Sequence, residues 1–378
     1  MKSRSRAQSV LAATLAIFVA TLLPFDSAEA RAYKFSVKNS GRTLPAIDQP
    51  APAYPDSGVH RGQEGWVRMS FAVTPGGRAV DPIIVNSSGG GAFEAEARKA
   101  MDQWIFEAPG SGEEAPNNLV NIRSETRHGR DGATRDFIRR YRRIMTHVQH
   151  EETAEARAQL DDAAELGGWN LYESAMLWLM AGRVAGQEGD MVAKLECYQR
   201  ALAVGTRRTL QDSERQDILQ KIFAMQDEFG QYAAAKRTFA TLQDMLGKRR
   251  VPAEIIARMA EIDAMLETDD VIAARATIYN PCDCDGGEPL WYYRPTRRTF
   301  SFADLDGNVE RFEARCDRKR IRGDVEEGAS WTLAPDWGSC RLFVFGDDGA
   351  SFDFLEHLEY SQDERTGEAA VARSHVLD

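Results

Sequence analysis

The sequence lacks the motifs that mark the common classes of enzyme. It has no nucleophile elbow, no phosphate-binding loop of the Gly-x-x-x-x-Gly-Lys-Ser/Thr type and no serine protease signature. Ser87-Ser88-Gly89 stands before a glycine run, and no motif places a base beside it, so a turn explains this triplet. We therefore predict a protein that is not an enzyme, with no catalytic residue and no cofactor.

The sequence also lacks, near its N-terminus, an apolar run as long as the about 20 residues that a membrane-spanning helix needs. The run from Val10 to Leu23 is shorter, follows a basic head and precedes the small-x-small site Ala28-Glu29-Ala30. These features predict a secretory signal over residues 1–30, cut before Arg31, and a periplasmic protein. An uncleaved signal would instead leave the chain anchored on the periplasmic side of the inner membrane.

An excess of positive charge is absent as well. The formal net charge is −11, which disfavours nucleic acid and anionic membranes as partners. Apolar residues make up 43% of the chain, an ordinary share for a globular protein, and 378 residues suggest two or three domains. Three changes in the sequence pattern divide the chain accordingly.

The clearest pattern occupies residues 49–127. Trp66 to Val73 alternates apolar and polar residues, as does the run around Ile83 to Val85, and this predicts two strands joined by a tight turn. From Phe93 to Phe106 the apolar spacing becomes helical, and Leu119 to Ser124 alternates again. The unit is predicted to be a β-β-α-β module whose helix covers one face of an antiparallel sheet.

These residues resemble the C-terminal domain of the TonB family. The motifs that carry the resemblance occur in the family's order: Tyr54-Pro55, Gly62, Glu64-Gly65, Val67, Phe71, Val73, Gly77, Val85, Ser87-Ser88-Gly89 and Trp104-Ile105-Phe106. The resemblance implies a periplasmic module that grips an extended peptide of an outer-membrane receptor by adding it to a sheet edge. The partners implied are envelope proteins, such as TonB-dependent outer-membrane receptors.

The last strand, Asn118 to Thr126, is the edge that we expect to accept this peptide, because an edge strand has unpaired N–H and C=O groups. Alternatively, the chain's own tail caps the edge. Ala53 replaces a polar residue of the family, which implies a different partner. The predicted partner-binding residues are Tyr54, Pro55, Asn118, Leu119, Val120, Asn121, Ile122 and Arg123.

The N-terminal part departs from the family pattern. The resemblance would place a polar pair that includes a histidine in a retained membrane helix, followed by a long Pro-rich spacer. Here the apolar run has no histidine, and the linker at residues 31–48 reaches about 60 Å at most. We therefore expect an interaction module, and a membrane-anchored energy transducer for outer-membrane transport is the alternative.

Residues 134–270 are predicted to be helical. Gly189 and Gly230, and likewise Tyr198 and Phe239, stand 41 residues apart, and the surrounding pattern of large, small, turn and aromatic positions resembles tetratricopeptide repeats. A small residue such as Gly182 would let the paired helix pack closely. The region is thus predicted to form about three tetratricopeptide-like hairpins that scaffold or bind a protein, or a helical bundle that only spaces two domains.

Within these helices, His147 and His150 stand three apart and could share a metal. Zinc motifs on helices need orders such as His-Glu-x-x-His, which this sequence does not have. We therefore interpret the two histidines as part of a solvated helix end and predict no metal site.

Residues 274–360 are predicted to form a small antiparallel β domain. Two Asp-Gly turns, Asp306-Gly307 and Asp348-Gly349, are each flanked by alternating aromatic residues, and each is predicted to close a hairpin. A basic patch that includes Arg297, Arg298 and Arg315 is interpreted as a solvated strand face. The polar residues 361–378 are predicted to form a flexible tail.

The sequence has only five cysteines. Cys197 lies in an apolar helix pattern and is interpreted as a buried thiol. The other four lie in the β domain, and an exported domain should oxidise them: Cys282, Cys284, Cys316 and Cys340. We expect Cys282 and Cys284 each to pair with one of the other two. A four-thiolate zinc site, and with it a metal-dependent envelope enzyme, is the alternative.

Together these patterns predict an α+β multidomain chain. Its parts are a TonB-like module, a region of helical hairpins, and an antiparallel β domain with disulfides.

Overall fold

A computed structural model gives the fold. It describes residues 33–39, 43–55, 63–88, 91–126, 132–205, 210–247, 250–280, 287–358 and 374–376. The predicted signal and the junction at 127–131 lie outside these residues, as do Cys282 and Cys284. No helix within the described ranges combines the length and apolar character that crossing a bilayer requires.

The predicted β-β-α-β module is confirmed. Strand β3 (Gly65–Val73) turns into β4 (Ala79–Ser87), helix α1 (Ala92–Met101) follows, and the chain returns as β6 (Ala115–Thr126) between β3 and a further strand. Gly77 adopts a φ of 80° in the turn, a backbone conformation that glycine tolerates at little steric cost.

The core of the module lies between α1 and one face of the sheet. It contains 14 buried apolar residues, among them Phe71, Trp104 and Val120. The helix ends at Met101, earlier than predicted, and Ile105–Phe106 forms the short strand β5 instead. Trp104 is 1% exposed, and its Nε1 donates a hydrogen bond to Pro50 O at 2.9 Å, so the tryptophan fixes this change of direction.

The predicted linker at residues 31–48 contains two strands. Strand β1 (Tyr33–Asn39) joins the main sheet, which has the order β1-β6-β3-β4, and β2 (Ala46–Asp48) pairs with β5. This segment is therefore part of the module and does not serve as a free spacer.

Seven helices follow the module over the described part of residues 132–270. They are α2 (Arg135–Gln149), α3 (Thr153–Leu166), α4 (Leu171–Glu188), α5 (Met191–Val204), α6 (Asp212–Glu228), α7 (Tyr232–Leu246) and α8 (Ala253–Leu266). Gly189 ends α4 with a φ of 81°, and Asp190 caps α5 by accepting a hydrogen bond from Ala193 N. Consecutive helices joined by such short turns pack as pairs.

One pair depends on the small residue at Gly182 in α4. A Cβ built there would lie 2.5 Å from the ring of Tyr198 in α5, whereas one at Gly186 would meet the flexible end of Lys194 at 3.1 Å. We expect Gly182→Ala to lower the free energy of unfolding by about 1–3 kcal/mol through overpacking. Gly186→Ala, the matched control on the same helix, should be neutral or stabilising by up to about 1 kcal/mol. Urea unfolding of both variants tests this, and equal effects would contradict it.

The C-terminal β domain consists of two sheets. One has the order β11-β10-β13-β8 and the other β15-β12-β9-β14-β7. The strands are β7 (Ile272–Thr277), β8 (Leu290–Tyr293), β9 (Thr299–Asp306), β10 (Val309–Cys316), β11 (Arg320–Asp324), β12 (Ser330–Thr332), β13 (Cys340–Gly346), β14 (Ser351–His357) and β15 (Ser374–Val376).

The two predicted Asp-Gly hairpins are therefore wrong. Asp306-Gly307 leads from β9 in one sheet to β10 in the other, and Asp348-Gly349 connects β13 to β14 in the same manner. The reason is the domain's aromatic core, in which Phe302, Phe312 and Phe352 are fully buried. Each chain crossing places consecutive aromatic strands on facing sheets, which buries more apolar surface than a free hairpin would.

Three residues of the predicted flexible tail also take part in this domain. Strand β15 (Ser374–Val376) pairs in parallel with β12, with Ser374 opposite Ser330. A bound terminal strand shields part of a sheet edge.

The predicted disulfide pairing is wrong, because Cys316 and Cys340 are bonded to each other. They stand opposite one another in the β10–β13 register, so neither is available to Cys282 or Cys284. Cys197 carries a free thiol that is half-buried among the helices, and burial raises its pKa to about 12.

The basic patch is only partly a solvated face. Arg297 is buried, and its guanidinium donates to Asp270 O and Thr268 O, while Arg315 lies in the contact with the module. The prediction missed this because the carbonyl partners come from distant parts of the chain.

Candidate partner-binding edge

The predicted edge for a partner is occupied by the chain itself. Strand β1 runs antiparallel to β6, from Tyr33 opposite Thr126 to Asn39 opposite Val120. Thr43 Oγ1 donates to Leu119 O at 3.1 Å, and Leu44 N donates to Asn118 Oδ1 at 3.3 Å. The expectation of an open edge at Asn118 to Thr126 is therefore wrong for this state. The reason is that residues 33–39, together with Thr43 and Leu44, satisfy backbone and side-chain groups that an open edge would expose.

Tyr54 and Pro55 lie beside this added strand. The ring of Tyr54 stands edge-on to Phe35 of β1, with centroids 6.4 Å apart, and edge-on to Phe93 of α1 at 5.7 Å. The Tyr54 hydroxyl donates to Gln63 O, and Pro55 is buried. The structure thus brings the predicted Tyr-Pro pair and the predicted strand together around β1.

The side chains of the predicted strand face inwards on both sides. Val120 and Ile122 belong to the core under α1. On the other side, Leu119 and Arg123 contact the other domains, and Asn121 accepts a hydrogen bond from Arg68 of β3. Within the predicted strand, the backbone side of residues 120–126 that faces β1, which we call the β6 edge, can pair with a different strand if β1 leaves it.

The module docks on both ends of the α4–α5 hairpin with charges that suit the helix dipoles. Glu64 Oε2 accepts a hydrogen bond from Leu171 N at the start of α4, at 3.2 Å. At the end of α5, Arg123 donates to Val204 O at 2.9 Å and to Ala203 O at 2.6 Å. Burial lowers the pKa of Arg123. A carboxylate at a helix N-terminus and a cation at a C-terminus are both favourable.

The face of the module sheet opposite α1 is covered by the β domain. Leu119 and Val85 pack with Leu290, Phe343 and Phe345 of β8 and β13. A partner therefore cannot reach this face of the sheet. Strand β1 forms the accessible border of the module sheet.

The opposite border, β4, is obstructed. Asp81 has a φ of 51° and precedes Pro82, which has no N–H to donate. The guanidiniums of Arg315 and Arg98 donate to the carbonyls of Asp81 and Pro82, at 2.9 and 3.3 Å. A partner strand would meet side chains here before it met free backbone groups.

The histidine pair lies at the C-terminal end of α2. His147 Nδ1 lies 2.6 Å from Glu152 Oε2, within hydrogen-bond distance. No group of three or more potential metal-binding side chains occurs among the described residues.

The sequence prediction missed Phe35 and Val37, whose side chains pack β1 against Tyr54 and the core of the module. The signal was present, since Tyr33, Phe35 and Val37 alternate with polar residues, as in a strand with one buried face. The β1 run has no turn motif linking it to β6.

Comparison with known proteins identifies the module. The family described as Gram-negative bacterial TonB protein C-terminal matches residues 50–123. Protein TonB of Pseudomonas aeruginosa is 39% identical over 61 residues, covering 16% of this chain and 18% of that protein. Protein TonB of Escherichia coli K12 is 36% identical over 69 residues, covering 18% of this chain and 29% of that protein.

The chain thus spans less than a third of either curated relative. Among solved structures, the solution NMR structure of the Pseudomonas aeruginosa TonB C-terminal domain matches with 27% identity and a TM-score of 0.21. That match covers 24% of this chain and 92% of the solved one. Residues 50–123 are thus similar to the TonB C-terminal domain family.

Proposed function

We propose that the module is an envelope protein-interaction domain that binds an extended segment of an outer-membrane receptor or other envelope protein by strand exchange. In this proposal the partner segment replaces β1 on the β6 edge. The helical region and the β domain hold the module in place. No chemical step is required.

The observation that supports this proposal is β1 itself. It is a seven-residue antiparallel strand in which Phe35 and Val37 are the apolar side chains seen in contact among those the structure describes, and Lys34, Lys38 and Asn39 are exposed. Such a strand is held mainly by backbone hydrogen bonds, which any extended segment can supply. A partner with apolar residues in place of Phe35 and Val37 would also contact Tyr54.

The resemblance to TonB proteins supports an envelope location and a role connected with transport. Because the β6 edge is covered, the partner must compete with a local strand, and a competing strand lowers the apparent affinity for any partner.

The proposal predicts that β1 can be replaced in trans. A variant lacking residues 31–39 should bind a labelled synthetic peptide of residues 31–42 with a Kd of about 10 μM, measured by fluorescence anisotropy. A peptide with Phe35→Pro and Ser36→Pro should not bind, because one of the two prolines removes an N–H that faces β6. A peptide with Ser36→Ala serves as the matched control and should bind normally.

A covalent lock connects this result to a partner. Lys34 and Glu125 stand opposite each other, so Lys34→Cys with Glu125→Cys can tie β1 to β6. An envelope protein that binds the variant without β1 should not bind the double-cysteine variant while its disulfide is formed. It should bind the same variant after the disulfide is reduced. Wild-type protein given the same reductant is the control. If the variant without β1 is folded and does not bind the peptide, strand exchange is refuted.

A further inference from the structure

A cavity of about 440 Å³ lies where the helices meet the module and the C-terminal β domain. Helix α6 presents Leu219, Ile222 and Gln226 to it, at the spacing of one helix face. Helices α5 and α7 supply further residues, and strands of the module and of the β domain close the remaining walls.

The cavity concentrates positive charge inside an acidic protein. Four arginines and one glutamate line it, although the whole chain carries a formal charge of −11: Arg68, Arg200, Arg215, Arg237 and Glu196. Low-dielectric walls strengthen the field of such a cluster and attract anions to it.

Two of these arginines already have partners. Arg200 donates to Glu196 Oε1 and to Asn280 O, both at 2.8 Å, and stacks over Trp178. Arg68 donates to Asn121 Oδ1 at 2.8 Å, and burial lowers the pKa of Arg68. These contacts hold the two side chains in place.

The other two arginines have no partner for their side chains. Among the described residues, no hydrogen bond or ion pair reaches the guanidinium of Arg215 on α6 or of Arg237 on α7. Arg237 is exposed on α7, and it lies close enough to the cavity walls that burial still lowers its pKa. Arg237 therefore lines the cavity with a guanidinium whose N–H groups can pair with an anion, while Glu356 acts on it electrostatically.

The opposite wall offers a flat apolar contact and a polar one. Leu290, Trp291 and Tyr292 of β8 line the cavity there. Asn86 also lines it, and its Oδ1 atom is buried without a hydrogen-bond partner among the described residues. A ligand that combines an acidic group with a ring would suit the arginines and the apolar wall.

We propose that this arginine cavity binds a small organic anion whose carboxylate or phosphate groups pair with Arg215 and Arg237, and whose body packs on Tyr292. Guanidinium groups suit both acids, because their planar N–H pairs match two oxygens at once. The volume accommodates a molecule of metabolite size. The ligand would contact the helical region, the module and the β domain at once.

Isothermal titration calorimetry on the full chain at low salt tests the proposal. Pyrophosphate and glucose 1-phosphate probe the phosphate chemistry, and citrate probes the carboxylate chemistry. At least one should bind saturably with a Kd below about 1 mM. Binding of the phosphates alone or of citrate alone would identify the acid class.

Variants locate the site. Arg215→Gln and Arg237→Gln should each weaken binding roughly tenfold, the loss expected for a charge-assisted pair. Lys236→Gln removes the same charge next to Arg237, but Lys236 pairs with Asp263 and does not line the cavity, so its affinity should not change. Because Arg237 has no partner, Arg237→Gln should keep the wild-type urea midpoint. Equal weakening by Lys236→Gln, or no saturable binding up to about 10 mM, would overturn the proposal.

Discussion

Replacing Arg315 by methionine is expected to lower the free energy of unfolding by about 3–5 kcal/mol, the cost of breaking a buried ion pair. Arg315 is 1% exposed and donates to Glu313 Oε1 at 2.6 Å. The same guanidinium donates to Ser70 Oγ and to Asp81 O, so it joins the β domain to the module. Its loss leaves Glu313, which is 3% exposed, with the exposed Arg322 as its remaining ion-pair partner among the described residues.

The effect should depend on pH. Burial alone would raise the pKa of Glu313, but Arg315 and Arg322 together lower it below its ordinary value of 4.5. In the wild type the pair therefore stabilises the fold above that pH, and this contribution is lost as the pH falls through the lowered pKa. In Arg315→Met the deficit should be largest at pH 7 and should shrink below about pH 4, where the carboxyl is protonated.

Urea unfolding at pH 7 and at about pH 3 measures both expectations. The double variant Glu313→Gln with Arg315→Met should recover much of the loss, because it removes the stranded charge as well. A double variant no more stable than Arg315→Met alone would show that packing, and not charge, accounts for the effect.

Replacing Trp66 by alanine should cost about 3–5 kcal/mol, as for other large buried aromatic residues. Trp66 is 2% exposed and packs on Leu171, Ala175 and Val204, which belong to the α4–α5 hairpin. The substitution removes the apolar centre of the contact and leaves the polar bonds of Glu64 and Arg123 at its two ends. We expect the module and the helices to unfold in separate steps once this centre is lost.

Scanning calorimetry distinguishes joint unfolding of the module and the helices from unfolding in separate steps. Wild type should show the module and helices melting together, and Trp66→Ala should split or broaden the transition. Trp66→Phe keeps an aromatic ring and should lose less stability. A loss below about 1 kcal/mol with an unchanged transition would mean that the contact contributes little.

The sequence was most informative where the relevant contacts are local. The alternation around Val67 and Phe71 and the helical spacing around Ala97 predict the module because each element shows its own buried face. Gly182 and Tyr198 lie close along the chain, and the predicted close packing of their helices is present. The tetratricopeptide-like arrangement of the whole region remains an interpretation.

Long-range pairing was not predictable in the same way. An Asp-Gly pair indicates a turn, but it does not indicate which sheet receives the next strand, and both turns near Gly307 and Gly349 cross between sheets. Four cysteines permit three pairings, and only the register of β10 with β13 selects Cys316 with Cys340. The buried role of Arg315 likewise depends on Ser70 and Asp81, more than 200 residues away.

The register of β1 has a consequence for the order of folding. Asn39 pairs with Val120, 81 residues further along, whereas β3 and β4 are neighbours that meet through a tight turn. Contacts that close long loops form late, since chain entropy opposes them until a template exists. We expect β3, β4, α1 and β6 to assemble first and β1 to arrive last. By the same argument β1 should be the first segment to detach under native conditions, which amide hydrogen exchange would detect as early loss of protection.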